Sequence, residues 1–173
     1  MKRQPLPAPD VLPELWVDDW PLPPYRYVPG LQPHPFRHEG GHSFVGGQAP
    51  EPTPWTEPAS WREDRLFLRG VDLFNCRFYW EAHEQWEGVW HQVQRPSLLA
   101  ELLQAGIQAS AFVLKTHMGQ LAAASRLHDV ARGRLQQIKT SHGAHFYGVD
   151  LAALQAQLHT YAQTGAWPLI RLE

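Results

Sequence analysis

The pattern of hydrophobic and polar positions divides this chain into a helical part and a part without helices. From residue 59 onward, apolar residues recur every three to four positions, the period of an amphipathic helix. Residues that favour helix starts precede most of these segments. The pattern predicts five helices, which begin near Ser60, Asp72, Ser97, Gln120 and Asp150.

The boundary between the first two predicted helices has two candidates. Ser60, with Glu63 three residues later, forms a capping box that starts a helix of about ten residues. Either Gly70 ends this helix or Asp72 caps the next one, which then runs to about Trp90.

The third predicted helix is apolar on more than one side, which favours a central position in a bundle. Gln104, Gln108 and Lys115 form its one polar line. This line either faces His83 and Glu87 on the second helix, or Lys115 reaches the surface and the glutamines bond the backbone. The fourth helix is expected to end near Lys139 and the fifth near Gly165, followed by an extended tail that packs on the bundle.

The region before residue 59 is an arm rather than a core. Fourteen of the 16 prolines lie in residues 1–58, and each proline removes a hydrogen-bond donor and fixes φ. Flexible linkers are poor in aromatic residues, whereas this arm has several: Trp16, Trp20, Tyr25, Tyr27, Phe36, Phe44 and Trp55. We therefore expect an extended segment wrapped over the helices.

These elements predict an all-α fold, a small bundle of about five helices with a proline-rich extended N-terminal arm wrapped over it. A chain of 173 residues, 43% of them hydrophobic, builds one ordinary core. The expected organisation is an arm over residues 1–58, a helical bundle over 59–165 and an extended tail over 166–173.

Composition and charge exclude several classes of partner. The net charge is -2 and the basic residues are dispersed, so we expect no nucleic-acid partner and no membrane partner. The first residues lead into proline, and no apolar run approaches about 18 residues, so a cytoplasmic location is expected. Cys76 is the only cysteine, which excludes an intramolecular disulfide, and its place on the aromatic face favours a buried structural thiol.

The candidate chemistry is concentrated between Phe74 and Trp90. At 100° per residue, an imidazole and a carboxylate share the aromatic face of the second helix there: Tyr79, His83, Trp86, Glu87 and Trp90. His83 and Glu87 lie one turn apart and have the spacing of the two metal ligands in the zinc-protease helix, with Glu in the last place. They are candidate ligands of one divalent metal, Zn, Mn or Fe, with Glu84 or Glu81 polarising its water.

A third ligand is required from elsewhere, and the arm offers His34, His38 and His42. Four extended residues span at most about 14 Å, so only a turn at Gly40-Gly41 that folds His42 back would bring these histidines together. The other source is a different helix.

Two further interpretations need no metal. In one, His83 and Glu87 hydrogen-bond each other and Gln104 or Gln108, and the chain is a binding or assembly module that forms a homodimer. In the other, a small-molecule substrate or ligand occupies a pocket lined by Trp80, Trp86, Trp90, Gln104, Gln108 and Lys115.

The residues also resemble a known family. The segments that carry the resemblance are Phe78-Tyr79-Trp80-Glu81-Ala82-His83-Glu84-Gln85-Trp86-Glu87, Leu103-Gln104-Ala105-Gly106-Ile107-Gln108 and Tyr147-Gly148-Val149-Asp150. They resemble the bacterial and archaeal family called domain of unknown function 309, over about residues 62–160. The resemblance implies a small helical bundle and a predicted metal-dependent hydrolase. The arm looks like an extension that some members carry, and Ala105-Gly106 replaces the expected Gly-Leu.

Overall fold

The computed structural model describes residues 4–173, so the first three residues of the predicted arm lie outside it. Within that range five α-helices form the fold: α1 Arg65–Asn75, α2 Tyr79–Trp90, α3 Leu98–His117, α4 Leu121–His142 and α5 Leu151–Thr164. A small antiparallel hairpin joins α4 to α5, with β1 His145–Phe146 paired to β2 Val149–Asp150. The predicted all-α bundle is confirmed.

The predicted caps of two helices are confirmed. The Ser97 side chain accepts a hydrogen bond from the Ala100 amide at the start of α3, and Asp150 accepts one from Ala153 at the start of α5. Ser60 instead caps a 3₁₀ turn, Trp61–Glu63, and α1 begins one residue after Asp64. Two short elements therefore replace one capping-box helix.

The predicted boundary between the first two helices is wrong at both candidates. Helix α1 continues through Gly70 and Asp72 and ends at Asn75. The chain then turns through Arg77, whose φ of 64° lies in the left-handed region, into α2. Glycine and aspartate are both common at helix ends, but here each has a packing role inside the helix.

Gly70 makes room for Trp86. The Trp86 ring is 2% exposed and lies between Gly70 of α1 and Gly106 of α3. A methyl group on Gly70 would lie 2.6 Å from Trp86 Cδ1 and closer still to Nε1, and one on Gly106 would lie 2.9 Å from Cε3. The indole donates its N–H to the Phe67 carbonyl at 3.2 Å. One tryptophan of α2 thus fixes the distances to both neighbouring helices.

Helix α3 occupies the middle of the bundle, as its apolar pattern predicted. It packs against α2 on one side and α4 on the other, while α1 lies against α2 and α5 against α4. Helix α3 has the length and hydropathy of a membrane span, but 67% of its most apolar 18-residue segment is buried inside the bundle. Burial by neighbouring helices accounts for its apolar character.

The arm is part of the core, as expected for a segment that wraps over the helices. Its most buried apolar side chains are Leu6, Val17, Tyr27 and Val28, each at most 6% exposed. Trp20 packs more loosely against the same core and lies under the Arg69 guanidinium.

Buried carboxylates of the helices hold the arm by hydrogen bonds. Asp72, 1% exposed, accepts the amides of Trp16 and Val17 at 3.0 and 2.9 Å. Glu81 accepts the amide of Tyr27 at 2.9 Å. Carboxylates on α1 and α2 thus accept three amides of the arm that helical or strand pairing would otherwise satisfy.

The C-terminal region contains more regular structure than the sequence predicts. Helix α4 continues past Lys139 to His142, and the segment expected to be a loop includes the hairpin. The tail is extended, as predicted. Ile170 exchanges two hydrogen bonds with the Asn75 side chain, at 2.7 and 2.9 Å, and Leu172 bridges to Val149.

Candidate functional site

A cavity of about 550 Å³ lies between the arm and the helices α1 and α2. Helix α2 provides the polar wall with Glu81, Glu84 and Glu87. The arm provides the opposite side with aromatic and proline residues and with two adjacent polar residues: Trp20, Pro23, Phe36, His42, Ser43, Pro50 and Pro52. The cavity therefore exists because a stiff, proline-rich segment crosses a helix without filling all the space beside it.

Three candidate metal ligands come together on α2. The donor atoms of His83, Glu84 and Glu87 all lie within 4.8 Å of one another. On a helix, residue 87 lies between residues 83 and 84 in angle and one turn further on, which brings the three side chains to one point. Glu84 and Glu87 line the cavity, and His83 lies beside them, towards α3.

The His83 ring is oriented by the backbone of α3. Its Nδ1 lies 3.3 Å from the Ile107 carbonyl oxygen, which accepts only from a protonated nitrogen. The neutral ring in this tautomer keeps the lone pair on Nε2. Metal-binding histidines commonly have this arrangement, with one nitrogen donating to a carbonyl and the other free to coordinate.

Glu84 has a raised pKa in this group. Its pKa is raised from 4.5 to about 7, chiefly by burial and also by the neighbouring carboxylates of Glu87 and Glu81, while Arg37 opposes them. Three carboxylates on two turns of one helix repel each other in a partly dry cavity. A bound cation would relieve that repulsion.

Glu81 faces a different set of partners. Its Oε1 accepts the Tyr27 amide at 2.9 Å and lies 3.1 Å from His42 Nε2. On the other side of the ring, His42 Nδ1 lies 2.8 Å from Ser43 Oγ. The side chains of His42 and Glu81 are each 5% exposed. Glu81 Oε2 is buried and has no hydrogen-bond partner among the described residues.

The other arm histidines lie apart from the His83 group. The His34 ring packs against Tyr27, Phe36 and Trp80, and its Nδ1 accepts the Phe36 amide at 3.2 Å. Desolvation lowers its pKa, with a smaller contribution from Arg37. The Gly40-Gly41 turn does fold His42 back, but onto Glu81 and not onto His83. Among the described residues, the third member of the ligand group is therefore Glu84.

Of the six residues expected to line a pocket, Trp80 lines this cavity. The structure brings the other five to different places in the described part of the chain. Trp86 is in the core, and Trp90 stacks under Arg95. Gln108 accepts from Arg134 Nε at 3.1 Å, so it faces α4, and Gln104 and Lys115 are half-buried on α3 away from the cavity.

The sequence did not indicate that Ser43, Pro50 and Pro52 line a cavity. Ser43 follows His42 directly, and the glycine pair before them signals a turn, but the partner of that turn is 39 residues away on α2. Residues 50–52 carry no ionisable pattern beyond Glu51, so only their position marks them as part of the cavity.

A second group of donors lies at the hairpin, where His145, Asp150 and Glu173 meet within 4.8 Å. Asp150 already caps α5, and the side chains of His145 and Glu173 are 52% and 65% exposed. Glu84 and Glu87, in contrast, line the 550 Å³ cavity, so the α2 group is the stronger candidate within residues 4–173.

Comparison with known families finds a match. The family model described as domain of unknown function (DUF309) matches residues 67–127, which run from the first turn of α1 into α4. The matched region includes Glu81, His83, Glu84 and Glu87 and excludes the arm. Comparison with proteins of curated function gives no match.

Proposed function

Because residues 67–127 place this chain in the family of domain of unknown function 309, whose name assigns no activity, we propose a function from the geometry of its site. We propose a metal-dependent hydrolase that acts on a small molecule in the 550 Å³ cavity. The observation that carries the proposal is the convergence of His83, Glu84 and Glu87, two of which line the cavity.

The donor set suits one divalent cation. One imidazole nitrogen and two carboxylate oxygens are ligands that Zn, Mn and Fe accept, and three protein ligands leave room for water and substrate. When bound, such a cation lowers the pKa of a coordinated water and polarises a scissile carbonyl or phosphoryl group. The hydrogen bond from His83 to Ile107 and the repulsion at Glu84 both favour this occupant.

The remaining residues position the substrate and limit the access of bulk water. Trp20, Phe36 and Trp80 give the cavity flat apolar walls, and the prolines at 50 and 52 close it without backbone donors of their own. Glu81 is held by the Tyr27 amide, so its carboxylate stays at the cavity wall.

Metal analysis tests the proposal. The protein is purified without a nickel column, and its Zn, Mn and Fe content is measured for the native chain and for His83→Ala and Glu87→Gln. We expect about one metal per chain in the native protein and a loss of at least tenfold in apparent affinity in each variant. His145→Ala, at the exposed second group, is the matched control and should keep the native metal content.

The outcome that contradicts the hydrolase is a native protein that stays metal-free after incubation with each of the three ions. If His83→Ala then only lowers stability, by about 1–3 kcal/mol, His83 has a structural role and the non-catalytic binding or assembly module becomes the better account.

A further inference from the structure

We propose that Ser43 is the nucleophile of a second, metal-independent acyl-transfer activity, with His42 as its general base and Glu81 as the residue that positions His42. The three side chains form one hydrogen-bonded chain. Ser43 Oγ lies 2.8 Å from His42 Nδ1, and His42 Nε2 lies 3.1 Å from Glu81 Oε1. All three residues line the 550 Å³ cavity.

The hydrogen bonds assign the direction of proton transfer. A carboxylate oxygen accepts only, so in the neutral ring His42 Nε2 carries the proton and its N–H donates a hydrogen bond to Glu81 Oε1. His42 Nδ1 then has the lone pair and accepts from the Ser43 hydroxyl. This order of nucleophile, base and orienting carboxylate is the arrangement that activates serine in unrelated hydrolases, where it is recognised by geometry and not by position in the sequence.

Hydrogen bonds and close packing hold the backbone around Ser43. The Ser43 amide donates to the Pro35 carbonyl at 3.2 Å, and the Gly41 amide donates to the His38 carbonyl at 2.7 Å. Gly41 packs so closely that a methyl group there would lie 2.7 Å from the Pro35 carbonyl carbon. Serine and histidine are therefore fixed on the arm while Glu81 comes from α2, so the three groups meet only when the arm is seated.

Burial strengthens the assigned role of Glu81. Its side chain is 5% exposed, and one oxygen accepts both Tyr27 N–H and His42. A carboxylate in a dry site stabilises the imidazolium that forms when the base takes a proton. Glu81 acts through His42 and does not touch the reacting atoms.

The serine nucleophile and the apolar residues that line the cavity indicate the substrate class. Ser43 Oγ attacks the carbonyl carbon of an ester with a small apolar acyl group, which fits among Trp20, Phe36 and Trp80. The serine proton passes to His42 Nδ1 and then to the leaving alcohol as the carbon–oxygen bond of the ester breaks. Water then attacks the acyl carbon and gives a proton to His42 Nδ1, which passes it to Ser43 Oγ as the acyl–serine bond breaks, so the carboxylic acid is released and the enzyme is regenerated.

A covalent probe tests the proposal without knowledge of the natural substrate. Full-length protein is treated with EDTA, incubated with a small fluorophosphonate and analysed by intact mass and peptide mapping. We expect one label per chain, on Ser43, and its loss in Ser43→Ala. Ser125→Ala, an exposed serine on α4, is the matched control and should label at the native rate.

Glu81→Gln separates positioning from folding. The amide oxygen still accepts from Tyr27 and His42, but the negative charge is gone. We expect the covalent step to slow at least tenfold, with unchanged probe affinity and unchanged thermal midpoint. Labelling of a different serine, no labelling, or native labelling of Glu81→Gln would overturn the proposal. Because EDTA is present throughout, these results are independent of the metal-dependent hydrolase.

Discussion

Replacement of Gly70 by alanine tests whether Trp86 locks α1, α2 and α3 together. An alanine in a solvent-exposed helix stabilises it by about 1 kcal/mol relative to glycine. At Gly70 the added methyl group would overlap the indole, with Cδ1 at 2.6 Å, whereas ordinary van der Waals contact begins at about 3.4 Å. The ring has to move by roughly 1 Å, although it is 2% exposed and hydrogen-bonded to Phe67.

The expected net effect is a large loss of stability. Overpacking of this kind costs about 1–3 kcal/mol or more, and loss of the indole hydrogen bond adds about 1 kcal/mol. After subtraction of the helix-propensity gain of about 1 kcal/mol, Gly70→Ala should lower the free energy of unfolding by about 1–3 kcal/mol.

Urea denaturation followed by circular dichroism measures this change, and Gly133→Ala is the matched control. Gly133 is also inside a helix, α4, but nothing lies within 4 Å of the position that an added methyl group would take, so that variant should gain about 0.5–1 kcal/mol. The reasoning is refuted if both variants gain stability. Gly70→Ala combined with Trp86→Phe should recover part of the loss, because the smaller ring makes room for the methyl group.

Two further predictions concern charge. In chelator-treated protein, the pKa of Glu84 is about 7 in the folded state and 4.5 in the unfolded state. Between these pH values the folded state therefore binds more protons than the unfolded state. Its contribution to stability is therefore complete below pH 4.5 and is lost as pH rises through 7, by ~1–2 kcal/mol after screening. Denaturation at pH 5 and 8 should show this decline, and an identical decline in Glu84→Gln contradicts it. Asp72→Ala should cost ~2–4 kcal/mol and expose the arm to proteolysis, because one buried and one partly buried amide lose their acceptor. Asp19→Ala removes only an exposed ion pair of the arm and should not increase proteolysis. Equal proteolysis of the two variants would contradict the role of Asp72.

Much of the fold was predictable because local signals agree with each other. The caps at Ser97 and Asp150, the apolar cover of α3 and the prolines before residue 59 each indicate one local structure, and the chain adopts it. The burial of Cys76 was predictable in the same way: it is 0% exposed, and desolvation raises its pKa.

The predictions failed where one residue type has two roles. Glycine ends helices, but Gly70 admits a ring from α2, and aspartate starts helices, but Asp72 accepts amides from the arm. Both roles depend on a partner at least 16 residues away in sequence, so no local window contains the signal.

For the candidate site, the sequence by itself determined that His83, Glu84 and Glu87 share a stretch of helix, because helical geometry fixes the relation of residues one turn apart. Only the tertiary structure decided what faces them. In the structure, His42 hydrogen-bonds Glu81 and Gln108 hydrogen-bonds Arg134. A cavity lies between α2 and the arm prolines at 50 and 52. Periodicity specifies which face of a helix is covered, but the identity of the cover depends on packing between distant segments, which the local pattern does not encode.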